Sequence, residues 1–328
     1  METETLPFGN SAKRPDAARE DVKKCTKTSQ LINTLYLYHS HCGHSGTRDT
    51  SNSYRMQNFS ILPREMVASL WRNRDLIIAL VKREVIGRYR GSVMGIAWSF
   101  FNPLLMLAIY TFVFSVVFKA RWGVGGEESK TDFAIILFVG MIVHGLFAEC
   151  INRAPALILS NVNYVKKVIF PLEILPWVAF GSALFHTIIS VGVLLVAQLI
   201  FSHQMPWTVV LFPFVLLPLI LIAMGSAWFL AAFGVFVRDI GQVTGMFTTV
   251  LLFLSPVFYP LSILPVKYQG WLQLNPLAFI IEEGRKVLVF GQLPDIGQWA
   301  ILMAAGSIIA WGGFAWFQKT RKGFADVL

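Results

Sequence analysis

The chain has 328 residues, of which 55% are hydrophobic and only 14% charged, with a formal net charge of +9. A soluble domain carries roughly a quarter charged residues, so this composition excludes a soluble enzyme and points to an all-α integral membrane protein. Lys and Arg gather in flanks between long apolar runs, which accounts for the positive charge without nucleic acid as a partner.

Residues 1–55 are polar, mixed in charge and free of helical periodicity, and read as a disordered or untranslated extension. They hold His39, His41, Cys42 and His44, but the spacing matches no closed four-ligand zinc pattern, so no metal is expected. Organised sequence begins near Met56. Translation from there, or a dispensable 1–55 segment, is the expectation. Residues 56–95 form the next segment, in which Trp71, Leu76, Ile77, Leu80 and Val81 alternate with Arg72, Arg74, Lys82, Arg83, Arg88 and Arg90. That pattern predicts a helix lying along the cytoplasmic headgroups, or else a solvated helix leading into the first span.

A crossing of the hydrocarbon core takes about 20 apolar residues. Charge is absent from Gly91 to Phe118, from Ile174 to Val237 and from Ile296 to Gln318. The middle run is too long for one crossing and folds back at Ser202–Trp207. A six-span domain over 96–318 follows, with transmembrane helices at about 96–118, 133–151, 174–201, 208–236, 240–260 and 297–318, and a 319–328 tail. The second span is short, because only 16 residues separate Asp132 from Glu149. Pro256 and Pro260 interrupt the fifth, which is tolerated where neighbouring helices re-satisfy the freed backbone groups. Between the fifth and sixth, Asn275-Pro276 opens a helix. Leu277, Ile280, Ile281, Gly284 and Leu288 share one face of it, and Glu282, Glu283, Arg285 and Lys286 share the other. The expectation is an interfacial helix on the outer face, or a lid over a pathway exit.

Leaving out residues 1–60, the N-terminal side of the membrane receives 14 Lys and Arg residues and the opposite side 6. The positive-inside rule then puts both termini in the cytoplasm. No phosphate-binding glycine loop, His-Glu-x-x-His, Gly-x-Ser-x-Gly or paired-carboxylate cluster occurs, so no catalytic residue is assigned. Glu149 stands at the inner end of its span, a headgroup-level position rather than a proton relay. His144 and His186 read as buried polar groups bonded between helices. Three cysteines, with Cys150 in a span, form no disulfide framework. With relays so scarce, the energy for transport has to come from another subunit.

Four ordered stretches carry a resemblance. They are Arg88–Trp98 continuing to Asn102-Pro103, Tyr164–Pro176, Val237–Ile240, and Ser255–Pro260 followed by Asn275–Leu277. In this order the chain, over about 60–328, resembles the permease subunit of type-2 ABC exporters that move polysaccharides and polyol phosphates such as O-antigen, capsule and teichoic-acid chains. The resemblance implies a homodimer in the bacterial cytoplasmic (inner) membrane, joined to two copies of a separate ATPase that binds ATP and Mg, and exporting a lipid-linked glycan. It also implies a coupling helix in the loop after the second span, which falls on Asn152–Lys167. Leu157, Leu159, Asn161, Lys166 and Lys167 are the residues expected to meet the ATPase. Among the aromatic residues, Trp98, Phe101, Tyr110 and Trp177 are the candidates to line the substrate pathway, although interfacial anchoring and helix packing would place them equally well. Two other functions compete. A related permease for a drug or lipid would share the same spans. A membrane-bound transferase acting on lipid-linked sugars would need an acidic or metal-binding cluster, and Asp239 and Glu173 are too isolated to form one.

Overall fold

The computed structural model describes residues 60–117, 130–167, 170–202, 205–263 and 265–328, all within the unit Asn58–Leu328. The expectations for residues 1–55, including the His39–His44 cluster, lie outside the described residues. Described segments are helical or irregular, with no strand among them. In chain order they are α1 (Pro63–Arg72), α2 (Arg74–Arg88), α3 (Trp98–Tyr110, continuing as a π-helical turn Thr111–Val117), α4 (Lys130–Arg153) and α5 (Val162–Lys167). There follow α6 (Leu175–Ser202), α7 (Phe212–Phe236), α8 (Ile240–Leu254), α9 (Val266–Gln273), α10 (Pro276–Leu288), α11 (Ile296–Thr320) and α12 (Phe324–Val327).

Five helical stretches are long and apolar enough to cross a membrane: Gly95–Phe114, Phe133–Ala156, Leu172–Phe201, Trp207–Phe236 and Ile296–Val327. They coincide with five of the expected spans. The expected 240–260 span is shorter than the sequence suggests. Its helix stops at Leu254 after 15 residues, a length of roughly 22 Å at 1.5 Å per residue. The break has a local cause. Pro256 disfavours helical backbone at the residue before it, and Ser255 is accordingly extended, at φ −90° and ψ 152°.

The spans are buried to very different degrees. In the most apolar stretch of α4, 78% is buried, against 11% in α3. So α4 is the centre of the bundle and α3 leans against its side. The tightest helix pair is α7 with α11, and small residues make it possible. A Cβ on Gly313 would fall on the carbonyl oxygen of Gly225, and one on Gly225 would sit 2.7 Å from the Ala310 Cα. Without hydrocarbon-water contrast inside a bilayer, such close backbone approach is a main source of helix association.

The α9–α10 region departs from the expected surface helix. Leu277, Ile280, Ile281 and Leu288 are buried as the apolar pattern requires, but Glu283 and Arg285 on the supposed outward face are buried too. α10 packs against α4 and α7 inside the bundle. It is anchored at its start by Asn275, whose side chain caps Leu277 N and reaches Ser255 Oγ, and near its end by Thr208, which donates to the Val287 carbonyl at 2.6 Å. Arg285 explains how a charge sits there. It donates to the carbonyls of Ile136 and Val257, at 3.2 and 3.0 Å, and pairs with Glu282 at 2.8 Å. Burial lowers its pKa to about 10, with Glu282 opposing the shift, so the guanidinium stays charged at neutral pH.

Candidate coupling surface and pathway

The end of the bundle that carries most Lys and Arg is built from α1, α2, the 152–173 connection and the C-terminal turn. Glu173 is its hub. One carboxylate oxygen accepts from Ser69 on α1 at 3.2 Å, the other from Arg321 at 2.6 Å, and its carbonyl accepts from Trp228 Nε1 on α7 at 3.0 Å. Arg321 also donates to the Phe170 carbonyl at 2.7 Å. A nearly buried carboxylate of this kind holds only when its lone pairs are used, and here they tie four chain segments together.

The 152–167 segment follows directly. Arg153 ends α4, a 3₁₀ turn covers Ala154–Ala156, another covers Leu159–Asn161, and α5 completes it. The first turn is pinned against α7, because a Cβ on Gly234 would come within 2.8 Å of Pro155 Cα. Of the five residues expected to couple, Leu157 is buried in the core and turned into the bundle. Leu159 and Asn161 are half-buried, and Asn161 spends its amide on the Leu157 carbonyl at 2.9 Å. Lys166 is exposed and bonds the Leu328 carbonyl, while the side chain of Lys167 lies outside the described residues. The open face of the segment is Ala156, Ser160, Asn163 and Lys166. The expected Leu157, Leu159 and Asn161 stand two residues apart and so do not share one face of a helical segment, whereas the open residues recur every three to four positions.

Between α3, α4 and α6 lies a cleft of about 300 Å³. Its basic end is polar, with Arg88, Ser99, Asn102, Glu149, His186 and Ser190, and its other end is apolar around Tyr110, Met106 and Phe138. Of the four pathway candidates, Tyr110 alone lines this cleft. Trp98 and Phe101 pack edge-to-face on one another, at 5.8 Å, on the exposed side of α3. Trp177 is a packing residue, edge-to-face with Phe180 and Trp228. A second groove, about 580 Å³ between α4, α7, α8 and α11, has no charged residue in its lining.

Glu149 pairs with Arg88 at 2.5 Å and with Arg153 at 3.5 Å, so its charge is neutralised at the end of α4. His144 bonds the Thr248 carbonyl at 3.0 Å and His186 faces the Tyr89 hydroxyl at 3.4 Å. The first bond is interhelical, as expected, whereas the second joins α6 to the turn after α2, and His186 is half-buried where a buried group was expected. The sequence missed Arg285 and Glu283 as buried groups. One signal existed for Arg285: it follows Ile281 by four residues and so flanks the apolar face. Among the described residues no group of three or more His, Cys, Asp or Glu could hold a metal.

The family model for the ABC-2 type transporter matches residues 75–289, from α2 through α10. The chain belongs to the ABC-2 type transporter family. This ABC-2 chain is 29% identical over 263 residues to the O-antigen export system permease protein RfbA of Myxococcus xanthus, covering 80% of the chain and 98% of that relative. It is 23% identical over 258 residues to the protein of the same name in Klebsiella pneumoniae, covering 77% of the chain and 95% of the relative. The polysialic acid transport protein KpsM of Escherichia coli is 23% identical over 233 residues, 66% of this chain and 82% of that one. In this ABC-2 chain the family match therefore takes in the 152–167 segment, the cleft and α10 alike.

Proposed function

We propose that this chain is the permease subunit of an ATP-driven exporter that moves a lipid-linked polysaccharide or polyol-phosphate polymer across the bacterial cytoplasmic membrane. The observation that carries the reading is the near full-length similarity to permeases named for O-antigen export, with a polysialic acid transporter beside them. Those names favour a glycan over a drug or a simple lipid. Two copies of the permease work with two copies of a separate ATPase, which supplies ATP and Mg. The sixth crossing is made by α8 together with the stretch after its break, and both termini face the cytoplasm.

In this reading the ATPase meets the exposed face of the 152–167 segment, around Ala156, Ser160, Asn163 and Lys166, with Leu159 and Asn161 at its rim. Glycan passes along α3, where Tyr110, Trp98 and Phe101 offer aromatic surface to sugar rings. The direct test is deletion of the gene in its native host, with measurement of surface glycan and of lipid-linked glycan inside the cell. Surface glycan should fall and the lipid-linked form accumulate, both reversed by the intact gene. Unchanged surface glycan in the deletion strain would refute the proposal.

A further inference from the structure

We propose that the α3–α4–α6 cleft is a binding site for a neutral polyol, held by Asn102, Ser99 and Ser190. The polyol is a sugar unit of the exported polymer or the hydroxylated headgroup of a membrane lipid. Naming the polymer as a source rests on the proposed function, whereas the chemistry of the cleft stands apart from it. Charge, hydrogen-bonding capacity and shape each point to the same ligand class.

The charged residues in the lining are Arg88 and Glu149, and they pair with one another at 2.5 Å. Behind them Glu149 reaches Arg153, which pairs with Glu84. Cations and carboxylates therefore cancel, and no net charge is left to compensate an anion for the water it would lose on entering. The hydrogen-bonding groups exclude an anion more directly. Ser99, Thr187 and Ser190 all line the cleft. Their hydroxyls donate to the carbonyls of Ile96, Ala183 and His186, at 2.7, 3.0 and 2.9 Å. A hydroxyl has one proton and two lone pairs, so with the proton spent these oxygens can only accept. An ionised phosphate or carboxylate also only accepts and would set acceptor against acceptor. A ligand hydroxyl supplies the missing proton.

Asn102 completes the set. Its side chain makes no hydrogen bond to any described residue, and an amide both donates and accepts. His186 meets the Tyr89 hydroxyl through Nδ1, while its Nε2 is buried with no partner among the described residues. Both residues lie within stretches long and apolar enough to cross a membrane, where an unanswered polar group is costly. The shape fits the same chemistry. At about 300 Å³ the cleft is at the small end of ligand sites, which run to roughly 300–1,000 Å³, so it holds one ring or headgroup and not a length of polymer. Its other end is walled by Met106, Tyr110, Phe138 and Ile142. A sugar ring has hydroxyls on its rim and C–H groups on its faces, so it matches both ends, and a lipid with a polyol headgroup matches them with its chain. Water alone satisfies the polar end and finds no partners at the apolar one.

The experiment uses the full chain in phosphatidylcholine nanodiscs, with a photoreactive alkyl glucoside as the label and mass spectrometry to locate it. Label should fall on α3 around Asn102 and on α6 around Ser190, and octyl β-D-glucoside should displace it while octyl phosphate does not. 1-O-octylglycerol separates the two sources. Displacement by the glucoside alone assigns the cleft to a sugar, and equal displacement by octylglycerol assigns it to a lipid headgroup; polyol binding holds in both cases. Asn102→Leu and Ser190→Ala should each weaken binding about five- to tenfold, as loss of one hydrogen bond does, with the melting temperature unchanged. Asn102→Gln should recover much of the loss, which a purely structural role would not predict. Displacement by octyl phosphate as good as by the glucoside, label elsewhere on the chain, or wild-type binding in both Asn102→Leu and Ser190→Ala would overturn the proposal. No ATPase or export enters this measurement. Unchanged surface glycan in the deletion strain would therefore sink the proposed function and leave the cleft to be judged on its own binding data.

Discussion

Arg285→Met is the sharpest probe of how α10 is held inside the bundle. The wild-type guanidinium is fully buried and serves two backbone carbonyls and one carboxylate. Met keeps much of the volume but donates nothing. The Ile136 carbonyl lies within α4 and keeps its helical partner, so its loss is small. Val257 stands beside the Ser255-Pro256 break, and its carbonyl loses the donor that satisfies it. Leaving such a group unpaired costs about 1–3 kcal/mol, and the Glu282 carboxylate loses its partner as well. Removal of one member of a buried pair costs about 3–5 kcal/mol. Glu282 is 28% exposed and recovers part of that from water, so a net loss of about 2–4 kcal/mol is expected. For a chain of this size each kcal/mol moves the melting temperature by roughly 2–4 °C. Thermal unfolding of the purified permease, followed by tryptophan fluorescence, should therefore shift down by about 5–15 °C. Glu282→Gln, which keeps both carbonyl bonds, should shift it far less. Arg285 also imposes a pH signature. Its folded pKa of about 10 lies below the unfolded value of a free guanidinium. Below pH 10 both states are protonated and it adds no slope, while between those values the unfolded state binds more proton and stability rises with pH. A melting temperature within a degree of wild type in Arg285→Met, or an equal loss in Glu282→Gln, would refute the clamp.

Gly313→Leu should abolish the α7–α11 contact and with it the folded permease, whereas Gly312→Leu, one residue away with open space around it, should insert and melt like wild type. Leu157→Arg should be lost to misfolding, because a charge cannot be housed at a buried core site. Ser160→Arg and Asn163→Arg should fold normally and weaken co-purification of the ATPase; normal ATPase binding in both would remove this face from the coupling surface. Single cysteines at Lys267 and Asn163, in a background lacking Cys25, Cys42 and Cys150, test the orientation. Position 267 should react with a membrane-impermeant thiol reagent in intact cells and position 163 only after permeabilisation, and the reverse pattern would invert the topology.

Five crossings were legible from the sequence because a bilayer imposes its thickness on a helix, and an uncharged run of the right length is a local property. The short α8 was half-legible. Pro256 was visible as an interruption, but only the packed structure distinguishes a kink that continues from a helix that stops. The family was readable from ordered motifs for the same reason, since each motif is a contiguous string. The 152–167 segment was legible as the connection after the second span, but which of its residues face outward was not. Leu157 and Leu159 are both leucines, and only the packed structure turns Leu157 into the bundle and leaves Ala156, Ser160, Asn163 and Lys166 open. What only the tertiary structure decided are meetings between distant residues: Arg285 with Ile136 and Val257, Glu173 with Ser69 and Arg321, and Glu84 with Arg153. A charged residue in α10 looks solvated from its sequence neighbours alone. Whether it faces water or two buried carbonyls depends on which helix packs beside it, and that is settled by close backbone approach at residues such as Gly140, Gly225 and Gly313. Glycine records that approach only as a missing side chain, which has no signature in the sequence until the neighbour that fills the space is known.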